Sequence, residues 1–135
     1  MNWQEKRVAI VCGGRSSERA VSLRTGAAFE RALLAEGVTP LVFDLVDGAI
    51  RQLVEAVPDV VLVALHGADG EDGRLQGCLD LFGIAYTGSG CAASALAMDK
   101  VRSKCVFERM GVPTPAWAIA ERPADGSLPA PPLQA

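Results

Sequence analysis

The sequence predicts an α/β fold: a mainly parallel sheet with helices on both faces, in three layers. Three observations carry that reading. Short apolar runs alternate with longer stretches of helical period along most of the chain, the order that right-handed crossovers turn into a parallel sheet. The run Val60-Val61-Leu62-Val63-Ala64-Leu65 has no polar alternation, as a strand covered on both faces requires. Glycine-rich turns, Gly13-Gly14 and Gly67 to Gly73, follow two of the apolar runs, at the carboxyl ends where open α/β sheets bind ligands.

Residues 7–12 read as the first strand, ending in Gly13-Gly14. The pair Ser16-Ser17 is suited to cap a helix over residues 18–35, with Ala28, Phe29, Ala32 and Leu33 as its apolar stripe and Gly37 as its stop. Residues 38–45 form a second strand, in which Pro40 marks an edge or a strand start. A short helix over 49–56 leads through Pro58 to the third and central strand, 60–65. A helix over 73–82 precedes a strand at 84–87. Residues 91–110 are expected to be helical, broken near Asp99, which caps the second piece.

After Gly111 the composition changes. Six of the eight prolines lie between Pro113 and Pro132, and residues 122–135 have neither periodicity nor enough apolar surface to fold alone. Trp117-Ala118-Ile119-Ala120 is expected to be a strand, followed by a mobile tail. The expected organisation is one domain over 1–112, then a linker and the start of a further domain over 113–135.

With 135 residues, half of them hydrophobic and 5% aromatic, the chain can bury the core of one domain. Its net charge of -3 and the absence of a basic run argue against nucleic acid as a partner. No stretch has the apolar length of a membrane span, and the first residues do not read as a secretion signal, so a cytoplasmic protein is expected. Cys12, Cys78, Cys91 and Cys105 are widely separated with no C-x-x-C pair, and are expected to be buried free thiols.

His66, the only histidine, stands at the end of the central strand, followed by Gly67, which lets main chain approach a small ligand. Glu18 stands at the corresponding place after the first strand, where the helix dipole alone would favour an acid. Each follows a different parallel strand, so the two can meet across one crevice, but by spacing alone Glu18 reads as a stabilising surface acid. Asp69, Glu71 and Asp72 do not have calcium-loop spacing, and turn formation and helix capping account for them without a metal. Gly13-Gly14 lacks the third glycine of the dinucleotide fingerprint, having Ser17 or Glu18 there. Gly88-Ser89-Gly90 reads as a structural turn, and Lys100 by itself as an exposed helix residue. These features alone leave open a non-catalytic module of Rossmann-like fold that binds a nucleotide or small anion, or that dimerises.

The order His66-Gly67-x-x-Gly70-Glu71-Asp72-Gly73-x-Leu75-Gln76-Gly77 resembles the signature of the D-alanine–D-alanine ligases at every fixed position. Gly13-Gly14-Arg15-Ser16-Ser17-Glu18, Val21-Ser22, Tyr86-Thr87-Gly88-Ser89-Gly90 and Met98-Asp99-Lys100 follow the same family's order, from about Val8 to Trp117. Ala20 departs from it, standing where the family usually has a glutamate. The resemblance implies the Rossmann-like pre-ATP-grasp N-terminal domain of an enzyme that activates one D-alanine as an acyl phosphate and joins it to a second for peptidoglycan synthesis. It implies that Glu18 binds the ammonium of the first D-alanine, that His66 lies near its carboxylate with Gly67 and Ser17 beside them, and that Lys100 contacts nucleotide phosphate. ATP with magnesium (or manganese) is implied, held mainly by domains expected after residue 120, as is a homodimer. The 135 residues are accordingly expected to be a fragment that folds but does not catalyse.

Overall fold

Five consecutive residues buried on every side, Val8–Cys12, make strand β1 the centre of the structure. The computed structural model describes residues 2–120. Around β1 stand β2 (Leu41–Asp44), β3 (Val60–Val63) and the short β4 (Ala85–Tyr86) in the order β2-β1-β3-β4. All three pairings are parallel, with Ala9 opposite Leu41 and Ile10 opposite Leu62. Helices α1 (Arg19–Ala35), α2 (Ala49–Glu55), α3 (Arg74–Leu81) and α4 (Cys91–Met98) complete the first of two compact units, Met1–Met98; α5 (Lys100–Arg109) belongs to the second, Asp99–Ala135.

Successive residues of β1 point to opposite faces, and each face has its own core. Ala9 and Val11 pack with Val61, Leu65 and the α2 and α3 residues Leu53, Leu75 and Leu79. Ile10 and Cys12 pack with Ala64 and, from α1, Phe29 and Leu33. Helices therefore cover both faces, as expected. β2 lies at the edge, and Pro40 directly precedes it, so the missing proline N–H falls outside the ladder.

Several local expectations are corrected. The buried stripe of α1 is Ser22 and Gly26 with Phe29 and Leu33, while Ala28 and Ala32 face solvent. Close packing against β1 is the reason: a Cβ on Gly26 would lie 2.7 Å from Cys12 Cβ, and the Ser22 hydroxyl donates to the Ala64 carbonyl at 2.8 Å. Neither serine of the pair is the helix cap; the N-cap residue is Glu18, without a side-chain cap bond. β3 ends at Val63, two residues earlier than its apolar run, although the Ala64 N–H still donates to Val11 O at 2.8 Å. A 3-10 turn over Trp3–Glu5, capped by Asn2, was not anticipated. All four thiols are free, but only Cys12 is buried; Cys78 and Cys91 are half-buried and Cys105 is exposed.

In the second unit Asp99 caps α5, its carboxylate accepting the Arg102 N–H at 3.0 Å, as the break near Asp99 predicts. Trp117-Ala118-Ile119-Ala120 is not a strand. Among the described residues it has no strand partner, and side chains of α5 hold this part of the chain: the Trp117 indole N–H donates to Glu108 at 2.7 Å and the Lys104 ammonium to Thr114 at 2.8 Å. The expected mobile tail lies outside the described residues. Among those residues no helix is long and apolar enough to cross a membrane.

Candidate functional site

The carboxyl ends of β1 and β3 are adjacent, and each continues into a turn whose left-handed backbone favours glycine. After β1, Gly13 and Gly14 have φ of +72° and +77°, a left-handed region costly for other residues. Asp44, at the end of β2, fastens this turn: it accepts the Gly14 N–H at 3.2 Å and pairs with Arg19 at 2.6 Å. Arg19 in turn donates to the Gly14 carbonyl at 3.0 Å. The guanidinium, with help from the Gly14 N–H, holds the Asp44 carboxyl below its ordinary range. The first turn of α1, and Glu18 before it, are thereby set against the sheet edge.

After β3 the chain passes through His66 to Gly67, at φ +73°. The turn that follows is closed by its own acids. Glu71 accepts the Gly67 N–H at 2.8 Å. Asp72 accepts the N–H groups of Asp69 at 3.0 Å and of Arg74, at the start of α3, at 3.1 Å. Burial would raise the Asp72 carboxyl, but these donors and the Arg74 charge outweigh it and the group lies below its ordinary range. Arg74 also bonds Asp69 at 2.8 Å. The acids thus do the structural work expected of them, and among the described residues no group of three or more His, Cys, Asp or Glu is placed to hold a metal ion.

The two turns meet. The Ser16 hydroxyl donates to the His66 carbonyl at 2.7 Å and accepts the Glu18 N–H at 3.2 Å. The Glu18 carboxylate lies so close to Gly67 that a Cβ there would be 2.6 Å from Glu18 Oε2. The turns after two different strands thus bring Glu18 against Gly67, the residue after His66. Ser17 is exposed beside them, and the linking role falls to Ser16. Lys100 is the first residue of α5, exposed, in the second unit.

Around the ring, His66 Nε2 is 3.1 Å from the Thr25 hydroxyl and Nδ1 is 3.8 Å from Glu71 Oε1. His66 and Glu71 line a cleft of about 440 Å³ with Gln76, Ser89, Ser94 and Met98. Gln76, 4% exposed, donates its amide to the Gly70 carbonyl at 2.7 Å, while its Oε1 has no partner among the described residues. Thr25, Asp44 and Arg19 were not singled out from the sequence. Nothing in the local pattern marks Asp44, because its partners lie 25 and 30 residues away.

A family model for the D-ala D-ala ligase N-terminus matches residues 47–89. A D-alanine–D-alanine ligase of Chromohalobacter salexigens is 50% identical over 119 residues, 88% of this chain and 38% of the relative. The crystal structure of a D-alanine–D-alanine ligase from Bacillus anthracis is similar with a TM-score of 0.74 at 36% identity, covering 85% of this chain and 39% of that one. The structure of that enzyme complexed with ATP gives 0.74 at 35% identity, over 86% and 40%. The chain spans less than two fifths of the length of the curated relative from Chromohalobacter. In sequence and in fold, this chain has the N-terminal domain of the D-alanine–D-alanine ligase family.

Proposed function

We propose that the chain supplies the amino-acid half of the site of an ATP-dependent ligase that joins two D-alanines, the product serving peptidoglycan precursor synthesis in the cytoplasm. The observation that carries this reading is the approach of the Glu18 carboxylate to Gly67, directly beside His66. A carboxylate accepts the hydrogen bonds of an ammonium, and the imidazole of His66, the residue before Gly67, serves the other end of a small zwitterion. The glycine at φ +73° leaves room that any side chain would fill. In this reading Glu18 holds the ammonium of the first D-alanine, His66 and Gly67 lie along its carboxylate side, and Ser17 stands at the rim. ATP, when bound, supplies the phosphoryl group that activates one carboxylate. Lys100 is assigned to its phosphates, a point charge suited to that contact. Magnesium or manganese is assigned to acids other than those of the Asp69 to Asp72 turn, each of which already commits an oxygen to Gly67, Asp69 or Arg74. The functional protein is proposed to be a homodimer.

The test is phosphate release by the protein that carries this chain. Release that needs both ATP and D-alanine supports the reading, as does a loss of 100-fold or more in kcat/KM for D-alanine in Glu18→Gln with little change in KM for ATP, on the order expected for a lost charged contact. Release indifferent to D-alanine would contradict it. Residues 1–135 alone are expected to show no turnover.

A further inference from the structure

Thr25 takes no part in the reading above, yet its hydroxyl is the polar group nearest the outer nitrogen of the imidazole. We propose that Thr25 fixes the tautomer of His66, holding the neutral ring as its Nε2–H form and leaving Nδ1 as the nitrogen that faces Glu71. A threonine hydroxyl has one proton and two lone pairs. Thr25 Oγ1 lies 3.1 Å from the Val21 carbonyl, one helical turn back, and a carbonyl only accepts. The single proton is committed there. Toward His66 Nε2, also at 3.1 Å, the hydroxyl therefore has only a lone pair to offer, and the ring must donate.

With Nε2 protonated, the neutral ring has its free lone pair at Nδ1. Glu71 stands opposite, Oε1 at 3.8 Å, its other oxygen already bound to the Gly67 N–H at 2.8 Å. The gap is too long for a direct hydrogen bond. Two acceptors thus face each other across it, so this edge of the ring donates only when a second proton is added at Nδ1, where Glu71 is the counter-charge. On the ligase reading, a substrate carboxylate approaching here meets a donor only in that imidazolium form. Thr25 is in this sense a positioning residue: it acts on the substrate through the ring.

The chain contains one histidine, so nitrogen-15 NMR of the imidazole in the 135-residue chain reads the tautomer without assignment. No ligand is needed, and the result is independent of whether the protein is a ligase. The neutral ring of the unsubstituted chain is expected to show a pyrrole-type Nε2 and a pyridine-type Nδ1 with no averaging between them. Thr25→Val, which keeps the side-chain shape and removes the acceptor, is expected to bring the two shifts toward the averaged values of a free ring, and Thr25→Ser to restore the separation. Averaged shifts or an Nδ1–H form in the unsubstituted chain would overturn the proposal, as would an unaltered pattern in folded Thr25→Val.

Discussion

Two clefts of nearly equal size, about 420 and 440 Å³, open at different ends of this sheet, and they differ in the groups that line them. The first lies near the start of β1, between Val8, Leu33, Val38, Leu62 and Trp3. There the Gln4 amide donates to the Glu36 carbonyl at 3.3 Å and Asn2 caps the 3-10 turn. The second lies beyond the end of β3, and there the polar groups have capacity in reserve. Glu71 Oε1 stands 3.8 Å from an imidazole nitrogen it does not directly bond, and Gln76 Oε1 has no partner among the described residues. Volume does not separate the two ends; an imidazole and a buried, unpartnered amide oxygen next to glycine-permitted backbone do.

The contrast is sharpest at two glycines of like conformation, Gly67 at φ +73° and Gly37 at φ +74°. Gly67→Val is expected to have the larger effect of the two. Its Cβ would meet the Glu18 carboxylate at 2.6 Å, so the strained backbone costs about 1–3 kcal/mol of stability and the displaced carboxylate costs on the order of 100-fold in kcat/KM for D-alanine. Urea unfolding and steady-state kinetics measure the two parts. At Gly37 an added Cβ meets nothing nearer than Gln4 at 3.7 Å. Gly37→Ala should therefore cost only about 1–2 kcal/mol of backbone strain and leave D-alanine kinetics unchanged; a kinetic defect there would erase the distinction between the two ends.

The Asp44–Arg19 clamp gives a smaller effect, because both side chains are part-exposed and such pairs contribute about 1 kcal/mol or less. Asp44→Asn is expected to lower stability by that amount and to raise KM for D-alanine by loosening the Gly13-Gly14 turn. The pH dependence has a definite sign. The folded Asp44 and Asp72 carboxyls both lie below their ordinary value of 3.8, so their stabilisation is present above that value and is lost as the pH falls through the depressed folded values. Chemical denaturation followed from pH 5 downward should show stability declining only below about pH 4, with a shallower decline in Asp44→Asn. The smallest effect is at Val57, a β-branched residue at φ +44° on the surface. Val57→Asn, which tolerates that region better, is expected to gain up to about 1 kcal/mol without altering the site, as a melting curve would show.

Much of this was legible in the sequence because the information is local. An unbroken apolar run announces β3, paired glycines announce turns at the sheet edge, and Asp99 breaks the last helical stretch where it supplies a cap. That the turns carrying Glu18 and Gly67 come together also follows from the order of two parallel strands. What escaped depends on contacts between distant segments. Gly26 and Ser22 face β1 because Cys12 and Ala64 come close, which displaces the stripe expected through Ala28 and Ala32. Ser16 serves the distant His66 carbonyl as well as the Glu18 N–H at the head of α1. Trp117 reads as a strand residue by its neighbours' composition, but its indole is held by Glu108. Thr25 carries no signal at all in the sequence, since an exposed-looking helix threonine gains meaning only from the ring that folds against it.

The central claim is that Glu18 and the His66 turn act as one amino-acid site. A double-mutant cycle on kcat/KM for D-alanine, using Glu18→Gln, His66→Asn and the pair in the protein that carries this chain, tests it most directly. Side chains sharing one small ligand should be coupled by about 0.5–3 kcal/mol, so the pair should lose less than the product of the single losses. Losses that multiply to within about 0.5 kcal/mol would mean that the two act independently, and would contradict a shared site.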